Sequence, residues 1–303
     1  MRAPLFEAVP NFSEGKDATK ISRITGAVRI ISGIRILGLH SDPDHNRSVL
    51  TFAGGEDPVL EGAIALAKAC AAELDLASQS GEHPRMGVLD VLPFVPLEGA
   101  TMDDAVRLAH RAGESLGSLE FPVYLYGSAA TVPHRQSLPN IRRGGYEGVA
   151  SRLGDPSWKP DYGPTTLDPR RGAVAVGARP FLVAFNAYLD TRDVEVAREV
   201  ARRVRESGGG LPAVRALGFG VDGKAQVSMN LTDLERTPIP VALEAVRSAA
   251  ADLGASVELT ELVGLAPMEA ILQTARYYLG LRELDAHDVL ESRLYGPSDS
   301  RSL

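Results

Sequence analysis

The polar segment at residues 80–87 holds the side chain best suited to acid–base chemistry. It reads SGEHPRMG and lies between the predicted end of a helix and an apolar run that predicts a buried strand. Histidine accepts and donates protons near neutral pH, since its unperturbed pKa is about 6.5. His83 is therefore a candidate for proton transfer; the alternative is a histidine that only bonds to backbone where the strand begins.

A second polar segment, residues 40–47, gathers two histidines, two aspartates and one arginine. Imidazole and carboxylate groups both bind metal ions, but their spacing here matches no metal-site pattern, and we predict no metal. Asp, Pro and Asn also favour turns, which makes a plain hairpin loop the alternative. Arg47 can clamp a carboxylate with two N–H groups, so we predict that some members of this segment contact substrate.

A third segment, residues 161–172, joins the two halves of the chain and is rich in Gly, Pro and Thr. Small residues bring backbone close to a planar ligand, and the two adjacent arginines of the segment can meet carboxylates; a plain linker is the alternative. The sequence contains no phosphate-binding glycine loop and no nucleophile elbow. A P-loop nucleotide site and a serine hydrolase are therefore not predicted.

The composition excludes several classes of function. The 32 Lys and Arg residues against 39 Asp and Glu leave a net charge of −7 without a basic block, so we predict no nucleic-acid partner. No apolar stretch approaches the roughly 20 residues of a membrane helix, and the N-terminus lacks the apolar region of a secretory signal. Cys70 is the single cysteine, which rules out an intrachain disulfide. We therefore predict a cytoplasmic protein without a membrane partner.

Strand-like and helix-like runs follow the same order in the two halves of the chain. Residues 36–39 (ILGL) correspond to residues 216–219 (ALGF). Each half predicts strand–helix–strand–strand–helix–strand and then another helix, which is the ferredoxin-like order. We predict an α+β fold of two ferredoxin-like α/β sandwich subdomains, residues 1–178 and 179–303, with a cleft between them. One continuous doubly wound sheet is the rival architecture.

Several strings of the sequence resemble the glutamate formimidoyltransferase family. They are VPNFSEG (9–15), NRSV (46–49), GEHPRMG (81–87), YLYG (124–127), RQSLP (135–139), PDYGP (160–164), FLVAFN (181–186) and QVSMNL (226–231). The resemblance covers nearly the whole chain in order, and strings as long as GEHPRMG are specific. The family's fold, two ferredoxin-like subdomains with a substrate crevice between them, agrees with the repeat.

The resemblance implies a reaction in histidine degradation and folate one-carbon metabolism. A formimidoyl group moves between the amino nitrogen of L-glutamate and nitrogen 5 of tetrahydrofolate, and the family's catalytic histidine falls on His83, as general acid and base. The implied folate-binding residues are Gly163, Pro164, Thr165, Thr166, Leu167, Asp168, Pro169, Arg170, Arg171 and Gly172. The family also suggests a homodimer that uses tetrahydrofolate and a glutamate derivative as its small-molecule substrates.

Six further residues complete the predicted substrate site: Asn11, His40, Asn46, Arg47, Arg85 and Asn186. Both substrates are anionic and the chain is net negative, so arginines such as Arg47 and Arg85 must attract them locally. Asn11 and Asn186, one from each half, can bond the pteridine or the amidine. Animal members of the family carry an aspartate at the position of His40, so this histidine either replaces that acid or acts differently.

Two other functions stay open on the sequence alone. The first is a glutamate formyltransferase or a related 5-formyltetrahydrofolate enzyme, because formyl and formimidoyl groups differ only by oxygen for nitrogen. The second, from another class, is a non-catalytic folate-binding protein. An assay with both donors separates the two enzymes, and folate binding without transfer to glutamate would identify the binding protein.

Overall fold

A computed structural model describes residues 3–43, 45–79 and 85–295, without the side chain of Tyr295. The chain divides into two compact units, residues 1–180 and 181–303. Each unit contains its own sheet, so the single continuous sheet considered as a rival is wrong. The predicted α+β class is confirmed, because strands and helices build both units.

The first unit is built on one mixed sheet. Its strands are β1 (Phe6–Ala8), β2 (Asn11–Phe12), β3 (Ile34–Asp42), β4 (Arg47–Gly54), β5 (Leu89–Pro96), β6 (Val123–Gly127) and β7 (Val174–Ala178). Strands β1 and β2 both lie between β4 and β5 and pair antiparallel with them, and β3 pairs with the far side of β4. Beyond β5 the sheet continues through β7 to β6, both in parallel pairings that the sequence analysis did not anticipate.

The helices of the first unit are α1 (Ala18–Arg29), α2 (Glu56–Glu73), α3 (Met102–Ser118), α4 (Leu138–Arg142) and α5 (Gly145–Arg152). Helix α3 begins where its polar residues predict, because Thr101 and Asp104 form a reciprocal capping box that satisfies two free N–H groups. Helices α1, α2 and α3 contribute the residues that pack against one face of the sheet, where the main core lies.

Side-chain alternation along the strands decides which residues face that core. On β4, Leu50 and Phe52 are fully buried in the core, so the odd-numbered residues between and beside them point to the opposite face. Phe6 and Phe12 belong to the same core, which turns Glu7 and Asn11 away from the three helices. The face that carries Asn11 is therefore available for polar groups.

The second unit has a smaller antiparallel sheet. Its strands are β8 (Val183–Leu189), β9 (Val214–Val221), β10 (Lys224–Leu231) and β11 (Val257–Val263), in the order β11-β8-β10-β9. Its helices are α6 (Val194–Val204), α7 (Ile239–Ala251), α8 (Met268–Leu279) and α9 (Leu290–Tyr295). Val183, Phe185 and Ala187 of β8 point into the helix-covered core, which places Asn186 and Tyr188 on the opposite face. In the part of the chain that the structure describes, no helix is both long and apolar enough to cross a membrane.

Candidate active site

His83 lies outside the described residues, and Gln79 and Arg85 are the described residues that flank its segment. Gln79 precedes them, and its side-chain N–H group donates to the carbonyls of Ser13 and, at 3.0 Å, Asn46. Arg85 follows them and donates from its guanidinium to the Gln79 carbonyl. Among the described residues, no hydrogen-bond partner reaches the enclosed atoms Gln79 Oε1 and Arg85 Nε, and such a buried polar atom calls for an explanation, for example a bound ligand.

Asp90, near the start of β5, is the centre of a buried ion cluster. Its fully buried carboxylate accepts from Arg47, from Arg142 at 2.8 Å and from the backbone N–H of Met86 at 2.9 Å. Burial alone would raise the pKa of Asp90, but the charges of Arg47 and Arg142 and these hydrogen bonds outweigh it and lower the pKa below its usual value. One carboxylate thus joins the start of β4, the start of β5 and helix α4.

Arg47 uses two further N–H groups to orient Asn11. Its Nε and second terminal nitrogen both donate to Asn11 Oδ1, at 3.1 and 2.9 Å. A guanidinium can only donate, so Asn11 must turn its oxygen toward Arg47 and its NH2 group away. One of the two Asn11 amide hydrogens is taken by the Val9 carbonyl at 2.8 Å. The other is a donor on the face of the sheet opposite helices α1 to α3.

His40 and Asn11 lie in one row across this face. His40 pairs in register with Val49 of β4, and Val49 pairs with Asn11 on its other side. With neighbouring strands spaced about 4.8 Å apart, two strand spacings separate the two residues. His40 is exposed, so the structure brings it to the same sheet face as Asn11 and Arg47.

His45 and Asn46, near the end of the 40–47 segment, lie in a turn before β4. The Asp42 carboxylate accepts from His45 Nδ1 at 2.8 Å and from the His45 backbone N–H at 2.9 Å. Asn46 is almost buried, has a positive φ of 48° and accepts from the Gly15 N–H at 2.9 Å. The turn that the sequence offered as an alternative is present, and it aligns Arg47 at the start of β4.

The predicted folate-binding segment, residues 163–172, is anchored at both ends; between them most residues are exposed, and Leu167 packs against a buried cluster. Gly163 has a φ of 81°, and a Cβ there would lie 2.1 Å from the Phe121 carbonyl. Gly172 has a φ of 70°, and a Cβ there would lie 2.2 Å from the Met86 carbonyl. Only glycine tolerates these contacts and angles. Thr165 and Thr166 between them are exposed.

The two arginines of this segment differ in their surroundings. The Arg170 side chain is 70% exposed and donates to Asp75 at 3.2 Å. Arg171 is half-buried and donates to the Leu119 carbonyl at 3.2 Å. The Arg171 carbonyl accepts from the Val88 N–H at 2.9 Å, which ties the end of the segment to the start of β5. Arg170 is therefore the arginine of the pair that has room to contact a ligand.

In the second unit, Asn186 belongs to a polar cluster on the sheet face opposite α6 and α7. The Glu261 carboxylate accepts from Asn186 Nδ2 and from the Tyr188 hydroxyl, each at 3.1 Å. Desolvation and this hydrogen bond raise the pKa of Tyr188, so it stays a donor. Because an ionised carboxylate only accepts, Asn186 turns its NH2 group to Glu261 and leaves its carbonyl oxygen as an acceptor. Asn11 and Asn186 are thus held in opposite orientations by charged partners of opposite sign.

The comparisons with known proteins identify the family. The model described as the formiminotransferase domain, N-terminal subdomain, matches residues 5–179, and the model described as the formiminotransferase domain matches residues 184–292. The chain belongs to the formiminotransferase family. Among the described residues no group of three or more His, Cys, Asp or Glu side chains is placed to hold a metal ion.

Relatives of this formiminotransferase-family chain match over most of its length. The glutamate formimidoyltransferase of Thermoplasma acidophilum is 41% identical over 295 residues, which cover 96% of this chain and 97% of the relative. The glutamate formimidoyltransferase of Streptococcus pyogenes serotype M1 is 38% identical over 298 residues, covering 97% and 100%. The formimidoyltransferase-cyclodeaminase of Sus scrofa is 44% identical over 284 residues, which cover 90% of this chain but only 52% of that protein.

Sequence reasoning missed four residues of these clusters in the formiminotransferase-family chain: Asp90, Arg142, Tyr188 and Glu261. Asp90 carries a usable signal, because it is the only charged residue in the apolar run at 88–97. Buried acids are rare unless paired, so that position could have been flagged. Arg142 and Glu261 carry no such signal, since each meets its partner only through long-range packing.

Proposed function

We propose that this protein transfers a formimidoyl group between N-formimidoyl-L-glutamate and nitrogen 5 of tetrahydrofolate. The observation that carries the proposal is the match over nearly the whole chain to proteins named glutamate formimidoyltransferase. Tetrahydrofolate is then a co-substrate, and no metal is needed. The resemblance assigns the proton transfers to His83.

The reaction needs one proton acceptor and one proton donor. Nitrogen 5 of tetrahydrofolate attacks the amidine carbon of the formimidoyl group and loses a proton as the tetrahedral species forms. The bond between that carbon and the glutamate nitrogen then breaks, and the departing nitrogen gains a proton. One imidazole can take the first proton and return it in the second step. Holding both substrates in place supplies a further part of the rate through proximity.

The oriented asparagines are the groups we propose for hydrogen bonding to substrate. Asn11 offers an N–H donor because Arg47 occupies its oxygen, and Asn186 offers an oxygen acceptor because Glu261 occupies its NH2 group. Arg47 acts here by positioning Asn11, since the structure commits all three of its nitrogens to Asn11 and Asp90. Arg85 stays a proposed contact for a substrate carboxylate, since among the described residues its guanidinium donates to the Gln79 carbonyl and its Nε has no partner. His40 and Asn46 stay proposed substrate-site residues.

A negative charge introduced at position 186 tests the proposed orientation of the Asn186 amide. Asn186→Asp places a second carboxylate against Glu261, so repulsion should displace the acceptor. We expect KM for one of the substrates to rise roughly tenfold, and more than in Asn186→Ala, which only removes a hydrogen bond. Asn230→Asp is the matched control, because Asn230 is an exposed asparagine on β10. Equal KM values in Asn186→Asp and the wild type would remove Asn186 from the substrate site.

The two arginines of residues 163–172 allow a paired test of folate binding. Arg170→Ala should weaken binding of 5-formyltetrahydrofolate about three- to tenfold, with a smaller loss at high salt, because an exposed guanidinium acts through a screened charge. Arg171→Ala should instead lower the melting temperature, since Arg171 holds the Leu119 carbonyl. Calorimetric titration at two salt concentrations measures the first effect. Unchanged affinity in Arg170→Ala at low salt would contradict this contact.

The family resemblance also bears on the architecture of the two units. We propose that residues 1–178 and 179–303 are two ferredoxin-like formiminotransferase subdomains. Support comes from the strand orders: β5-(β1, β2)-β4-β3 in the first unit and β11-β8-β10-β9 in the second both place the fourth strand beside the first and the third beside the second. The homodimer and the cytoplasmic location are proposed from the family resemblance.

An assay with both acyl donors tests the function. The protein is incubated with tetrahydrofolate and either N-formimidoylglutamate or N-formylglutamate, and product absorbance is followed. Transfer from N-formimidoylglutamate at the higher kcat/KM is the expected result. Preference for the formyl donor would favour the formyltransferase, and folate binding without transfer would favour the binding protein.

A further inference from the structure

Glu7 is a buried acid that the proposed mechanism does not use. It lies on β1, is 4% exposed, and points away from the core helices because Phe6 and Ala8 on either side belong to that core. No described residue donates a hydrogen bond to its carboxylate, and Arg179 acts on it only through its charge. Burial raises the pKa of Glu7, and the charge of Arg179 partly offsets this rise. A carboxylate in this condition is costly unless a donor reaches it.

The register of the sheet places Glu7 on the same face as Asn11. Glu7 pairs with Ala53 of β4 and Asn11 pairs with Val49, and those two partners lie four residues apart on one strand. The separation along the strand is therefore about 13 Å. The Glu7 oxygens are not among the fully enclosed polar atoms without partners, so they keep some contact with solvent. A ligand that meets Asn11 at one end can meet Glu7 at the other.

We propose that Glu7 binds a planar N–C–N edge with two parallel N–H donors in one of the two substrates. A carboxylate accepts two parallel hydrogen bonds from such an edge, with charge assistance. The inference rests on the proposed function, whose substrates offer this chemistry in two places. One is the 2-amino group and adjacent ring N–H of the pterin, and the other is the amidine of the formimidoyl group. Glu7 takes no part in the proton transfers.

Binding measurements with Glu7→Gln test the assignment. Glutamine keeps the shape but replaces one acceptor with a donor that opposes the ligand N–H groups. If the pterin is the source, Kd for 5-formyltetrahydrofolate should rise about tenfold or more while Kd for N-formimidoylglutamate stays unchanged. The reverse pattern assigns the edge to the amidine and still supports the proposal. Unchanged Kd values for both ligands would overturn it.

The melting temperature of the free protein separates a ligand contact from a structural role. Glu14 is a matched control, because its buried carboxylate accepts from the N–H groups of Lys16 at 2.8 Å and Asp17 at 3.0 Å. Glu14→Gln should lower the melting temperature, whereas Glu7→Gln should leave it unchanged or raise it, since an unsatisfied buried charge is removed. A fall in Glu7→Gln like that in Glu14→Gln, with unchanged affinities, would show a structural residue.

A folate analogue without the 2-amino group tests the same contact from the side of the ligand. The wild type should bind this analogue at least about tenfold more weakly than folate if Glu7 meets the pterin. Glu7→Gln should bind the two ligands equally. These titrations need no turnover, so wild-type binding without transfer would reject the proposed function while leaving the Glu7 contact standing.

Discussion

Replacement of His83 by alanine is expected to lower kcat by about 10²- to 10⁴-fold, the contribution typical of general acid–base catalysis. Affinity for 5-formyltetrahydrofolate should stay close to that of the wild type, because the proposed role of His83 is proton transfer and not binding. Steady-state kinetics and calorimetric titration of the same preparation separate the two effects. A plot of kcat against pH should also lose the limb that reports the imidazole.

A second histidine provides the control for this result. His287 is exposed near the end of the described chain; its backbone N–H donates to Asp285 at 2.7 Å and its carbonyl accepts from Arg293. His287→Ala should leave kcat unchanged. If His83→Ala retains wild-type kcat, the proton transfers belong to another group, and His40 on the face of β3 would be the next residue to replace.

Replacement of Asp90 by asparagine should be among the most destabilising single changes in the first unit. The substitution leaves Arg47 and Arg142 facing each other without the carboxylate that now joins them. Breaking a buried ion cluster in this way costs about 3–5 kcal/mol in the free energy of unfolding. Activity should fall as well, because Arg47 would no longer hold Asn11 in its donor orientation. Urea unfolding and kinetics of folded protein measure the two losses.

The pH dependence of stability gives an independent check on Asp90. Its pKa is lowered in the folded protein, so the stability that it contributes is present above its unfolded pKa of about 3.9 and is lost as the pH falls through the folded value. Asp90→Asn should therefore weaken the decline of stability in acid. Asp57→Asn is the control, since the pair of Asp57 with Arg111 is exposed and should change stability by no more than about 1 kcal/mol. Equal losses in the two variants would contradict the role of Asp90.

The architecture could be read from the sequence wherever local patterns decide it. Strands β3, β4 and β5 and helices α1 to α3 follow from apolar periodicity and capping residues such as Thr101. Strands β6 and β7 could not be predicted in the same way. They pair in parallel with strands distant along the chain, and nothing in a short apolar run such as 174–178 indicates which neighbour it will have.

The candidate site also combines features that local sequence indicates with features that only long-range packing decides. The residue types of His83, Arg47 and the 163–172 segment marked them as chemical candidates, and the family resemblance suggested roles for His83 and for residues 163–172. Its position before a strand did not indicate that Arg47 would donate to Asn11 and Asp90, because folding brings those two residues to it. The partners of its N–H groups come from two other strands, since Asn11 lies on β2 and Asp90 on β5.

By itself, the sequence determined the α+β class of the fold and most of its helices and strands, and it marked candidate side chains for the chemistry, because these depend on residue type and short-range periodicity. Only the tertiary structure decided which atom each amide presents and which acids are buried. Glu7, Asp90 and Glu261 acquire their environments from strands and helices far along the chain. Hydrogen-bond direction and desolvation are set by spatial neighbours, which no local pattern specifies.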